Sequence, residues 1–265
     1  MHSTQPLILG HRGASAVAPE NTLAAFTQAI EDGADGIEFD VRLSSDGQPI
    51  VIHDDTLNRT GLVSGVVSAL TAAQLQKVDV GSWFTKRTGG RSYSTETIPT
   101  LAAVFDLFAA NHAVLYVEMK CDELQTPAMA ASVVRQISQH RLRDRVVVES
   151  FVLPAIEHIK RIDPHVRTAA LFEPKLSKPV STIRTKVILD RARQHQADEI
   201  ALHYTLARPR LVQTAQDEGF EVVVWTVDDV SWLERARASG IKALISNNPR
   251  MMVEMRDKSS AMPSN

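Results

Sequence analysis

The sequence is poor in the features that most readily classify a protein. It holds one cysteine, Cys121, so there is no internal disulfide and no thiolate set for zinc. No apolar run approaches the roughly 20 residues that span a bilayer. Leu7-Ile8-Leu9 leads straight into His11, with no charged segment and long apolar stretch ahead of it, so the expectation is a cytoplasmic protein without an export signal. The formal net charge of −2 is too small to argue for nucleic acid or an anionic membrane surface as a partner. Any anion must therefore be recognised locally. A G-x-G-x-x-G turn after the first apolar run is also missing, which disfavours an open dinucleotide-binding sheet.

What is present is a rhythm. In 265 residues, 44% of them hydrophobic, short β-rich runs alternate with amphipathic stretches. Strands are predicted over 7–10, 36–41, 49–53, 114–118, 145–149, 167–171, 199–201, 221–226 and 243–245. Helical spacing relates Leu23, Phe26 and Ile30, then Leu101, Val104, Phe105 and Phe108, then Ile156 and Ile159. Thr22, Pro209 and Asp228-Asp229 mark helix starts, and Gly219 and Gly240 mark helix ends. About eight strand-then-helix units in some 250 residues match a closed (β/α)₈ TIM barrel of the α/β class. Nine runs are one too many for it. The turn Ser44-Ser45-Asp46-Gly47 joins the second and third, so one of these is read as an antiparallel extension of a barrel strand. Residues 55–98 then interrupt the rhythm with scattered glycines and a single short helical pattern, Thr71 to Val78; Trp83 and Phe84 argue that this insertion is ordered. The expectation is one barrel domain over residues 1–256, with 55–98 as an insertion subdomain after the second strand, and a frayed polar tail over 257–265.

Chemistry collects at the ends of the apolar runs. Glu38 and Asp40 are two apart on a strand, so they share a face with Cα atoms about 6.6 Å apart. Glu118 ends another run, and Lys120 follows it. Three carboxylates with no cysteine set and no H-x-x-x-H spacing suit one divalent cation, Mg²⁺ or Ca²⁺ with Mn²⁺ also compatible, rather than zinc. His11 and His53 also stand at strand ends, where two imidazoles can exchange protons near neutral pH. Arg12 can grip phosphate oxygens in a bidentate fashion, and Lys120 adds a point charge. Together these types suit metal-assisted chemistry on a phosphate ester.

His11-Arg12-Gly13, Pro19-Glu20-Asn21-Thr22, Glu38-Phe39-Asp40-Val41, Asp46-Gly47, His53-Asp54, Arg59-Thr60, Asp79-Val80-Gly81-Ser82-Trp83-Phe84, Ile98-Pro99-Thr100-Leu101, Glu118-Met119-Lys120 and Trp225-Thr226-Val227 occur in this order. Together they resemble the glycerophosphodiester phosphodiesterase family, closest to its bacterial cytosolic members, over about residues 7 to 250. The resemblance implies a TIM barrel that hydrolyses glycerophosphodiesters such as glycerophosphocholine or glycerophosphoethanolamine to sn-glycerol 3-phosphate and an alcohol. It implies metal ligation by Glu38, Asp40 and Glu118, acid/base roles for His11 and His53, and phosphate contacts by Arg12 and Lys120. Trp225 would stack at the pocket wall, and the insertion would cover the glycerol end of the substrate.

Two positions depart from the family pattern. Where many members carry Thr-Asp after the last strand, this chain has Ser246-Asn247-Asn248-Pro249, which keeps a hydrogen-bonding shape and loses a charge. Glu149-Ser150-Phe151 replaces a Ser-Ser-Phe type end and adds a carboxylate near the rim. Attack by the substrate's own 2-hydroxyl through a cyclic phosphate and direct attack by water both fit the residues. Two other readings stand beside this one: a phospholipase D-like or lysophospholipase D-type barrel acting on lipids, and a non-catalytic phosphodiester-binding module. The head group, the cation and the oligomeric state, a homo-oligomer included, are left open by the sequence.

Overall fold

Most strands of this chain are apolar on both faces, the pattern of a parallel sheet that has helices outside and a packed interior within. The computed structural model describes residues 5–174 and 184–261. In chain order the elements are β1 (Leu7–His11), α1 (Leu23–Glu31), β2 (Gly36–Leu43), β3 (Pro49–Val51), α2 (Ala72–Leu75), α3 (Ser82–Thr88), α4 (Leu101–Leu107), β4 (Val114–Met119), α5 (Thr126–Gln139) and β5 (Val146–Ser150). There follow α6 (Pro154–Ile162), β6 (Arg167–Phe172), α7 (Thr185–Gln194), β7 (Glu199–His203), α8 (Pro209–Asp217), β8 (Glu221–Trp225), α9 (Ser231–Ser239), β9 (Ala243–Ser246) and α10 (Pro249–Ala261).

The strand order β1-β9-β8-β7-β6-β5-β4-β2 closes through a β1–β2 pairing, which makes an eight-stranded parallel (β/α)₈ barrel. The ninth strand, β3, runs antiparallel on the end of β2, with Val41 opposite Val51. It stops at Val51, two residues short of the run predicted to His53; the Ile52 N–H still bonds the Asp40 carbonyl at 3.0 Å, and the His53 carbonyl accepts from Arg42 Nε at 2.7 Å.

Alternation sorts each strand into two files. The outward file of β2, Ile37, Phe39 and Val41, packs with Phe26, Phe105 and Val133 of the surrounding helices. On the opposite side Ile200, Leu202, Val222 and Val224 pack against Ile188, Leu211 and Leu233. The inward file builds a small interior core of Leu9, Tyr116, Val147, Ala169, Ala201, Val223 and Ile245. Glu38, Asp40, Glu118 and Glu149 continue that inward file toward the carboxyl ends of β2, β4 and β5. Register aligns them: His11 lies opposite Glu38, Asp40 opposite Glu118, and Glu118 opposite Glu149.

Residues 55–98 form a separate core with the β3 end of the barrel, in which Leu57, Val67, Leu75 and Ile98 pack with Ile50 and Ile52. Beyond the single helical pattern predicted for it, this segment contains a 3-10 turn over Val67–Ala69 and a further α-helix, α3. Its first turn is anchored by Asp79, whose carboxylate accepts from the backbone N–H of Gly81 at 2.9 Å and of Ser82 at 2.8 Å. Phe84 then packs on Ala18 and Ala25, joining the insertion to the β1–α1 loop. At the other end α10 continues through residues 257–261, where the sequence reading places a tail; Lys258 in its last turn favours the helix's negative end. Residues 262–265 of that expected tail lie outside the described residues.

Candidate active site

The site is built on a tight turn. Arg12 and Gly13 follow β1 with φ of 54° and 84°, and a Cβ on Gly13 would fall 2.5 Å from the Ala25 carbonyl carbon. Only glycine fits there. The turn lets Arg12 N–H bond the Glu38 carbonyl at 2.7 Å, while its guanidinium reaches Glu20 at 2.8 Å and Asp40 at 3.2 Å. Asn21, also left-handed with φ of 58°, donates from Nδ2 to Asp40 at 2.8 Å.

Glu38, Asp40 and Glu118 are buried, and one oxygen from each lies within 4.8 Å of the others. Lys120 Nζ sits 2.7 Å from Glu118 and 3.3 Å from Asp40. Burial alone would raise the Asp40 pKa, but Arg12 and Lys120 outweigh it and hold that carboxylate ionised. Glu118 is pushed up to about 7 by burial and by the Asp40 charge. Glu38 is raised well above its ordinary value by burial and then by Asp40 and Glu118. Glu149 is raised likewise, by burial and then by Glu38 and Glu118, and its Oε2 is buried without a hydrogen bond. Four buried carboxyls thus face two cations. That excess, on hard oxygen donors, fits a divalent ion.

The two histidines share a design. His53 Nδ1 bonds Asp54 at 2.7 Å, and Asp54 is held by Arg59 at 2.7 and 3.1 Å. Arg59 also forks onto Glu20 at 2.7 and 2.8 Å, so the insertion ties the carboxylate behind His53 to the one beside Arg12. His11 Nδ1 bonds Asn247 Oδ1 at 2.7 Å, leaving Nε2 free, 3.8 Å from Glu38. Burial, with Arg12 next, lowers the His11 pKa to about 4, so the ring is neutral at pH 7.

The two imidazoles, the cations and three of the four carboxyls open onto one cavity of about 360 Å³. His11, Arg12, Glu38, His53, Glu118, Lys120 and Trp225 line it, and Asp40 lies just beneath, 1% exposed. The sequence thus names eight residues that the fold brings together. It assigns no role to Glu20, Asn21, Asp54, Arg59 or Asp228, although the first four lie inside its quoted motifs. Phe151 and Glu173 also line the cavity; Phe151 meets Trp225 edge to face at 5.5 Å. Nothing in the spacing of Glu173 points to a site.

A parallel barrel with two back-bonded imidazoles, an acidic triad and two cations at its carboxyl rim defines a phosphoric diester hydrolase. The chain belongs to the glycerophosphoryl diester phosphodiesterase family, whose profile matches residues 11–251. It is 31% identical over 249 residues to the glycerophosphodiester phosphodiesterase of Caldanaerobacter subterraneus subsp. tengcongensis, an alignment covering 94% of this chain and 97% of that protein. A glycerophosphodiester phosphodiesterase of Bacillus subtilis is 27% identical, over 94% of this chain and 86% of its own length. Among solved structures, a phosphodiesterase of Oleispira antarctica in complex with the product sn-glycerol-3-phosphate superposes with a TM-score of 0.83 at 27% identity, covering 96% of this chain and 97% of that one. Among the described residues no helix is long and apolar enough to cross a membrane.

Proposed function

We propose that this chain hydrolyses small glycerophosphodiesters, glycerophosphocholine and glycerophosphoethanolamine among them, to sn-glycerol 3-phosphate and an alcohol. The observation that carries this reading is the pair of imidazoles, each bonded through Nδ1, leaving two free Nε2 atoms around a cavity that also holds Arg12, Lys120 and the acidic triad. Glu38, Asp40 and Glu118 would hold one Mg²⁺, Ca²⁺ or Mn²⁺, which when bound supplies Lewis-acid polarisation of the phosphate. Arg12 and Lys120 offset charge that develops on the phosphoryl oxygens. Burial lowers the pKa of both rings, but a carboxylate lies behind His53 where His11 has an amide, so of the two His53 is the better supported as an imidazolium. His11 therefore accepts the proton of the glycerol 2-hydroxyl as it attacks in line, and His53 protonates the departing alcohol. Water then opens the cyclic phosphate. Residues 1–256 act as one catalytic domain, with 55–98 over the rim and Trp225 against the substrate.

A coupled glycerol 3-phosphate dehydrogenase assay across several glycerophosphodiesters and cations tests this, with His11→Ala and Glu38→Ala as controls. Release of glycerol phosphate that needs a divalent cation and both residues is expected. Binding without release would leave a phosphodiester-binding module instead. Phosphorus NMR of quenched samples separates the cyclic route from direct attack by water. One observation favours a second reading, lysophospholipase D-type activity: Leu62, Val63 and Val66 of the insertion are half-exposed, and Leu124 at the same rim is 92% exposed. Faster turnover of lysophospholipid micelles than of glycerophosphocholine would select it.

A further inference from the structure

Asn247, which follows β9, meets a charged partner one strand away. Asp228, just past β8, points at the end of β9. Its Oδ1 accepts from Ser246 Oγ at 2.8 Å and from the Asn247 backbone N–H at 2.8 Å. Its Oδ2 accepts from Asn247 Nδ2 at 2.7 Å. A carboxylate only accepts, so the Asn247 amide is oriented without ambiguity: nitrogen toward Asp228, oxygen toward the barrel axis. That oxygen takes the Ser15 hydroxyl at 2.9 Å and His11 Nδ1 at 2.7 Å. An amide oxygen also only accepts, so His11 carries its proton on Nδ1 and its lone pair on Nε2.

We propose that Asn247 is a positioning residue that fixes the tautomer and direction of His11, and that Asp228 makes it so. The two form an exchangeable pair. Only two facing atoms, Oδ2 of residue 228 and Nδ2 of residue 247, decide which residue carries the charge. Everything else on either side chain accepts in both arrangements: Oδ1 of residue 228 receives two donors, and Oδ1 of residue 247 receives Ser15 and His11. An aspartate at 247 opposite Asp228 brings two carboxylate oxygens to hydrogen-bond distance with no proton between them. An asparagine at 228 opposite Asn247 sets two amide nitrogens against each other. Each single change breaks the contact, and both together restore it with the charge moved next to His11. The proposal rests on reading His11 as the proton-transfer group.

The test is a cycle of Asn247→Asp, Asp228→Asn and the double variant, with kcat and KM on glycerophosphocholine and ¹⁵N NMR of the His11 ring. Each single variant is expected to lower kcat by about tenfold or more with KM within about twofold, and to lose the uniform Nδ1–H signature. The double variant is expected to recover most of kcat and to show that signature again. A single variant that keeps kcat and tautomer, or a double variant no better than the singles, overturns the pairing. Melting temperatures of all three report folding, so a kcat loss in a variant that melts like the parent is positional. Should His11→Ala retain full turnover, the role of His11 falls, while the ¹⁵N signatures still decide whether residues 228 and 247 set its tautomer.

Discussion

The two ends of the barrel each bury a glutamate, and they treat it in opposite ways. At the amino-terminal end Glu199, 0% exposed, receives the Tyr116 hydroxyl at 2.6 Å, Lys242 Nζ at 2.6 Å and Arg167 at 2.9 Å. The chain supplies every partner that carboxylate needs. At the carboxyl rim Glu149, 1% exposed, has an oxygen with no hydrogen bond, and its near neighbours in register and charge are other acids. Burying a carboxylate is costly in both places. At the base it is offset within the fold; at the rim Arg12 and Lys120 offset it in part, and the cation of the proposed function would supply the rest. A plug and a site are thus distinguished by where the counter-charge comes from.

Removing a rim acid should cost function and spare the fold. Glu38→Ala is expected to lower turnover by about 10³-fold, the scale of losing a key electrostatic element of the site, with a melting temperature within about 2 °C of the parent. A large drop in melting temperature would make Glu38 a structural acid like Glu199. Removing the base acid should do the reverse. Glu199→Ala leaves Lys242, Arg167 and Tyr116 facing a hole, so we expect a loss of about 3 kcal/mol in urea unfolding, with turnover per folded molecule unchanged.

The finer contrast lies in Glu149→Gln, which keeps shape while removing a carboxyl whose ionisation burial and the Glu38 and Glu118 charges oppose. Stability is expected to rise by about 1 kcal/mol, and the cation concentration for half-maximal rate to shift a few-fold. A fall in stability would mean that Glu149 is held by partners as Glu199 is. The smallest effect concerns Asp54, a rim carboxylate paired by Arg59. Hydrogen bonds from Arg59 lower the Asp54 pKa to about 2 from its ordinary 3.8. Its folded pKa lies below the unfolded one, so its contribution is complete above about pH 4 and is lost as pH falls through about 2. The pair is partly exposed, so screening keeps that contribution near 1 kcal/mol. Acid unfolding of Asp54→Asn should therefore lack this part of the slope.

Periodicity carried most of the barrel. The strand runs, the extra antiparallel segment and the inward placement of Glu38, Asp40 and Glu118 all follow from side chains alternating along extended backbone, which a linear reading can count. The helix at Ser82–Thr88 was missed because its start is set by Asp79, a residue outside the helix whose bonds to Gly81 and Ser82 leave no hydrophobic trace. The contacts behind the histidines were missed for a related reason. Asp228 and Asn247 meet only because β8 and β9 are neighbours in the barrel, and Arg59 reaches Glu20 across 39 positions of sequence. Such pairings depend on how elements are docked, and neither spacing nor composition encodes that directly.

The fork of Arg59 onto Asp54 and Glu20 means that the insertion cannot be treated as an exchangeable cassette. A loop transplanted from another barrel would have to bring a cation to that point, or Glu20 and Asp54 would be left without the charge between them and the side chains they steer would drift. The half-exposed Leu62 and Val63 take no part in these bonds. The stem at Arg59 is bound to the chemistry.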